Sequence, residues 1–202
     1  MAFTTPGTAV AGEVLTAAFW NTNVRDNLNS VGLVHLTTQS FSGATSASPV
    51  SLPANTFSDT YMNYRFTVNI TASTTGGQLR LRLRASGTDN SSSNYTYGGY
   101  ISYSGSSILS ARPSNGVTTF FDLGDFSPTD YPNMSLIGDI MQPKAAFRTM
   151  FYANINLPVS PQAYFGNIGG AMSVTTSYDS FSIVPSAGSI TGDVRVYGLR
   201  AS

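Results

Sequence analysis

The stretch Met62-Asn63-Tyr64-Arg65-Phe66-Thr67-Val68-Asn69-Ile70 alternates apolar and polar side chains without a break. A period of two sends successive side chains to opposite faces of an extended chain, so this segment predicts a half-buried antiparallel strand with one face on a core and one on solvent. The pattern recurs in Leu79, Leu81 and Leu83 against Arg80, Arg82 and Arg84, in Phe147, Phe151, Ile155 and Leu157, and in Val194 and Val196 against Arg195 and Tyr197. Turn residues separate these runs. Gly76-Gly77 and Asn115-Gly116 suggest tight hairpins that use positive φ. Eight or so short strands between such signals predict a mainly β fold, an antiparallel jelly-roll-like β-sandwich. Residues 86–99 and 104–116, dense in Ser, Gly and Asn, are expected as long variable loops.

Composition narrows the chemistry. Among 202 residues there is no cysteine and one histidine, His35, so disulfides, thiolate metal sites and His-rich metal ligation are excluded, and no cofactor or metal is expected. Charged residues form 10% of the chain and balance to zero, with Lys144 the sole lysine. Nucleic acids and anionic membrane surfaces demand clustered cations, so neither is expected as a partner. No apolar run approaches the ~20 residues that span a bilayer. A neutral surface of small polar residues and aromatics suits either a permanent assembly subunit or a monomeric β domain with few charges.

No catalytic constellation stands out. Asp122, Asp125, Asp130 and Asp139 form the densest acidic stretch, but they lack the repeated spacing of a calcium loop and are expected to mark turns. A glycosidase acid would commonly be a glutamate, and the single one, Glu13, lies near the start of the chain. His35 has no Gly-x-Ser-x-Gly elbow to partner and reads as a residue at the start of a strand. No enzyme activity is expected.

Two groups are candidate contact residues. Arg80, Arg82 and Arg84 share a strand face at ~7 Å intervals. They suit a grip on acidic sugar, phosphate or a neighbouring carboxylate, or equally a solvated outer face. Tyr95, Tyr97 and Tyr100 suit a sugar-stacking platform, a subunit interface or a cap on the core.

Ahead of the strands, residues 1–13 read as an extended arm and a helix follows. Thr16 is a candidate N-cap, Ala17, Trp20, Val24 and Val31 form an apolar stripe with Leu28 beside it, and Gly32 is a natural stop. A helix of about fifteen residues is marginal alone, so its stripe needs a partner, either the β body or other copies in a short three-helix bundle. Domain boundaries are accordingly expected at 1–32 for the arm and helix and 33–202 for the sandwich.

The segment Gly12-Glu13-Val14-Leu15-Thr16-Ala17-Ala18, continuing to Asn21 and Arg25-Asp26-Asn27-Leu28, resembles the N-terminal helix of tailed-bacteriophage virion proteins, especially minor tail and tail-fibre proteins. It covers about a seventh of the chain. That pattern often carries an acidic residue three places after the threonine, completing a capping box, whereas Phe19 stands here. The closing run from Gly188 to Arg200, with Ile190, Val194, Val196, Tyr197, Gly198 and Leu199, is similar to the last strand of phage fibre and virion-associated β-sandwich domains. The resemblance implies a virion structural protein, made in the host cytoplasm, with Leu15, Trp20, Val24, Leu28 and Val31 as its anchoring or oligomer face. A homotrimeric tail-fibre or tail-tip protein that binds host-surface glycan is the expected role, with the tail or baseplate as partner. The alternative is a capsid decoration or head-fibre protein on the major capsid protein.

Overall fold

The alternation at 62–70 becomes a strand because its two faces meet different surroundings. Tyr64, Phe66, Val68 and Ile70 are buried, and Asn63, Arg65, Thr67 and Asn69 face the other way, half-exposed. The computed structural model describes residues 16–21, 32–103, 108–111, 118–129, 133–159 and 162–199. After the short helix α1 (Ala17–Trp20) come thirteen strands: β1 (Leu33–Thr45), β2 (Val50–Ser51), β3 (Asn63–Ser73), β4 (Gly77–Ala85), β5 (Thr88–Asp89), β6 (Tyr95–Tyr103), β7 (Ile108–Ala111), β8 (Phe121–Phe126), β9 (Met134–Met141), β10 (Met150–Val159), β11 (Gln162–Met172), β12 (Ser180–Pro185) and β13 (Ser189–Leu199).

All strand pairs are antiparallel and fall into two sheets. One has the order β1-β13-β3-β9-β10-β11-β6-β7, the other β2-β12-β4 with β5 and β8 both pairing β4. Within these orders lie the quartets β1-β13-β3-β9 and β2-β12-β4-β8, between which the chain crosses at every step but the middle one, from β4 to its neighbour β8. That alternation is the double Greek key of a jelly roll. The strands β10, β11, β6 and β7 are additions that widen one sheet to eight strands.

Aromatic rings join the sheets. Phe66 of β3 lies 5.2 Å from Phe181 of β12 and 6.4 Å from Phe151 of β10, and Phe151 stacks on Phe121 of β8 at 4.8 Å and 12°. Each fully buried ring contributes about 1.5–3 kcal/mol through transfer from water alone. Glycine makes room for one of them. A Cβ on Gly138 of β9 would stand 2.4 Å from Cζ of Phe66.

Several expectations need correction. Gly76-Gly77 does not form a hairpin, because β3 and β4 belong to different sheets and neither glycine has positive φ. Gly77 is needed for closeness, since a Cβ there would meet Cζ of Phe126 and Oγ of Ser186, each at 2.9 Å. Residues 86–99 are not one long loop, for they contain β5 and the start of β6. Phe147 lies outside β10 and is 64% exposed. Thr16 does cap α1, its Oγ1 accepting from the backbone N–H of Phe19 at 3.1 Å. Leu15, Val24, Leu28, Val31 and Asn115-Gly116 lie outside the described residues.

Phe66 and Gly138 are expected to be energetically coupled. Gly138→Ala should destabilise the protein, and the same change in a Phe66→Leu background should cost less, by ~0.5–3 kcal/mol of coupling in urea unfolding. Costs that simply add would show that the ring does not fix the glycine.

Candidate functional site

Parity along β6 sorts the candidate tyrosines. Tyr95 and Tyr97 point toward the core side and Tyr100 toward the opposite face, because the register with β11 runs without a shift from Tyr95 to Tyr103. Tyr95, expected as a contact residue, is therefore a core residue with no exposed surface. Its hydroxyl accepts from the N–H of Leu83 at 3.0 Å and donates to the carbonyl of Asn90 at 2.8 Å, tying β4 to the segment after β5. Tyr97 is half-buried and lies 6.3 Å from the ring of Phe120. Of the three, Tyr100 alone is a surface residue, 45% exposed.

The arginines do share one face of β4, as their spacing predicted, and each is engaged within the chain. The Arg80 guanidinium lies 4.3 Å from the centroid of the Phe120 ring and donates through Nε to Gln78 Oε1 at 2.9 Å. Arg82 donates to the carbonyl of Thr119 at 3.2 Å. Arg84 pairs with Asp89 at 3.1 Å and donates to the carbonyls of Leu52 and Gly87. The arginine face is thus half-covered by the segments around β5 and before β8, and its guanidinium groups fix those segments to the sheet.

Acidic residues behave likewise. Asp122, expected at a turn, is buried within β8, where its Oδ1 accepts from the N–H of Gly124 at 2.8 Å. Gly124 has φ +102°, the bulge that shifts the β4–β8 register. Asp139 grips Arg65 through two hydrogen bonds, Nε to Oδ1 at 2.8 Å and Nη2 to Oδ2 at 3.0 Å. These bonds raise the pKa of the guanidinium. His35 sits 2.9 Å from Thr38 Oγ1 and edge-on to Tyr197, away from any nucleophile pattern. Among the described residues no three His, Asp or Glu side chains gather to hold a metal ion, and no helix is long and apolar enough to cross a membrane.

The site that emerges lies elsewhere, on the outer face of β9 and the added strands β10, β11 and β6. Two adjacent cross-strand rows form it: Ile137, Asn154, Asn167 and Tyr100 in one, Ser135, Asn156, Phe165 and Ser102 in the next, on β9, β10, β11 and β6 respectively. They line a groove of about 400 Å³. Phe165 and Ile137 are 50% and 49% exposed at its sides. Polar groups within it are ordered by one another. Asn167 donates through Nδ2 to the Tyr100 hydroxyl at 2.8 Å, and its Oδ1 accepts from the Tyr152 hydroxyl at 2.8 Å, which also lies 3.2 Å from Asn154 Oδ1.

Sequence reasoning found only Tyr100 of this group. A signal was present in Phe165-Gly166-Asn167-Ile168, where the core-facing position holds glycine and the solvent-facing position holds phenylalanine, an inversion of normal strand patterning. No protein-family profile and no curated protein matches this chain.

Burial pushes the pKa of Tyr95 well above the ordinary 10.0, against a smaller opposing effect of its backbone hydrogen bond with Leu83. Unfolded, Tyr95 loses its proton near pH 10; folded, it keeps it to higher pH. The fold then binds more protons than the unfolded chain, so stability that is intact below about pH 10 declines as pH rises beyond it. Tyr95→Phe leaves the N–H of Leu83 without its acceptor and should cost ~1–3 kcal/mol at neutral pH. The variant should also flatten the alkaline decline in urea titrations at increasing pH; an equally steep decline would reject this role for the phenol.

Proposed function

We propose that this chain is a non-enzymatic structural protein of a tailed-phage virion, a homotrimeric tail-fibre or tail-tip component. Its N-terminal segment attaches to the tail or baseplate, and its jelly roll faces outward to bind a host-surface glycan. The observation that carries the reading is the open groove on the widened sheet, where exposed Tyr100, Phe165 and Ile137 flank three asparagines. A protein whose task is only to cement a lattice needs no such groove, so it favours the tail over capsid decoration.

Two further features support the reading. The segment around Thr16 resembles the N-terminal helix of tail proteins, and Trp20 stands 54% exposed on α1, with no residue of that helix buried. A large indole left in water on a four-residue helix is suited to anchoring in a neighbouring subunit or a virion protein. Several of the few charges on the body are paired with one another, as in Arg65–Asp139, Arg84–Asp89 and Arg195–Asp193. Such a surface gives little long-range repulsion between copies packed side by side.

Intact particles labelled with an antibody against the β body should show density at the tail in negative-stain images. Label over the head would transfer the protein to the decoration role, and particles without label would remove it from the virion. Trp20→Ala should release the protein from particles while leaving the unfolding transition of the sandwich unchanged. Loss of both together would mean that Trp20 serves the fold rather than attachment.

A further inference from the structure

The groove's chemistry restricts what it binds. Among the described residues no charged side chain lines it. The nearest charges on the same face are compensated: Arg65 by Asp139, and Arg195 by Asp193 at 3.0 Å, with Asn69 donating to the same aspartate. An anionic or cationic ligand would lose hydration on entry and gain no counter-charge. An uncharged ligand loses far less.

Its polar groups retain unused capacity. Among the described residues no hydrogen bond engages the Asn154 Nδ2 or either polar atom of the Asn156 amide, and the Tyr100 hydroxyl, which accepts from Asn167, still has its own proton to donate. Each amide offers a donor and an acceptor side by side, the arrangement that pairs with vicinal hydroxyls. The exposed Phe165 ring supplies a flat apolar face next to Asn156, its cross-strand partner. Sugars present those two surfaces together, hydroxyls at the edge and a C–H face. The volume of about 400 Å³ falls in the ~300–1,000 Å³ range of small-ligand clefts.

Part of the groove is also held in place before any ligand arrives. Its residues stand on hydrogen-bonded strands rather than loops, and hydrogen bonds from Asn167 to Tyr100, and from Tyr152 beside the groove to Asn167 and Asn154, orient three of its side chains. Preorganised groups lose little entropy on binding. A second copy of this chain is a poorer occupant. A concave groove meets itself across a two-fold axis, and a protein surface covering it must satisfy every unspent amide or leave it buried and unpaired.

We propose that the groove between β9, β10, β11 and β6 binds an uncharged saccharide, with Phe165 stacking on a sugar face and Asn154, Asn156 and Tyr100 taking its hydroxyls. This rests on the glycan-binding reading above and narrows it to neutral sugars. The probes are neutral oligosaccharides built from hexoses, deoxyhexoses and N-acetylhexosamines, with sialylated and uronic-acid oligosaccharides as the contrast, read by saturation-transfer NMR on the full chain. At least one neutral probe should bind, and Phe165→Ala and Asn156→Ala should each weaken it tenfold or more with unfolding midpoints preserved. Arg80→Ala on the opposite sheet should leave binding unchanged. Absence of binding to every neutral probe, preference for acidic probes, or undiminished binding in both groove variants would overturn the assignment. So would a drop in oligomeric state of Phe165→Ala in sedimentation velocity, which would give the groove to a second copy. Label at the tail with binding of acidic saccharides alone would sink this inference and leave the glycan reading standing, while saccharide binding by a protein that labels no particle would sink the virion reading alone.

Discussion

Contact between aromatic rings of the two sheets is the constraint from which the rest of the structure follows. With no cysteine in the chain, the sheets are held by packing and hydrogen bonds, and the rings of Phe66, Phe151, Phe181 and Phe121 run from one sheet to the other. Phe57 and Tyr64 continue the seam, their centroids 4.5 Å apart. The size of these rings demands small neighbours, which explains Gly138 opposite Phe66 and the close approach at Gly77. It also demands that phenols brought inside keep hydrogen-bond partners. Tyr64 does so with the backbone of Ser58, donating at 2.8 Å and accepting at 2.7 Å, and Tyr95 does so with Leu83 and Asn90. In each case the buried hydroxyl pins a connecting segment to the body.

Much of the β architecture was legible in the sequence because period-two patterning is a direct consequence of strand geometry. The runs at 62–70, 79–84 and 194–197 placed β3, β4 and β13 with the right faces inward, except that Met62 falls before β3 and is exposed. Glycine was less informative. Its freedom suggests turns, yet at positions 76 and 77 it serves a sheet-to-sheet crossing and a tight approach that only the tertiary partners reveal. Polar composition misled in a similar way at 86–99, where short pairings with β4 and the burial of Tyr95 override the loop-like character of Ser, Gly and Asn.

The site was the least legible part. The alternating arginines drew attention because charge on a strand is conspicuous, but their partners, the Phe120 ring and the carbonyls of Thr119, Leu52 and Gly87, come from segments whose placement no local pattern encodes. The groove joins the consecutive strands β9, β10 and β11 to the distant β6, and the register that sets Ile137, Asn154, Asn167 and Tyr100 in one row is written in no local pattern. Parity would have separated Tyr100 from Tyr95 and Tyr97, since an odd and an even position on one unbroken strand face opposite ways.

The added strands β10, β11, β6 and β7 lie outside the two quartets that define the jelly roll, though they extend one of its sheets. Core packing constrains only their inward positions, such as Phe151, Ala153, Ile155 and Ile168. Their outward positions are free to vary in sequence with little penalty to folding. The architecture therefore separates inheritance from adaptation: a lineage can change the shape and chemistry of the outer face, residue by residue on the outer parity, while the scaffold beneath it stays the same.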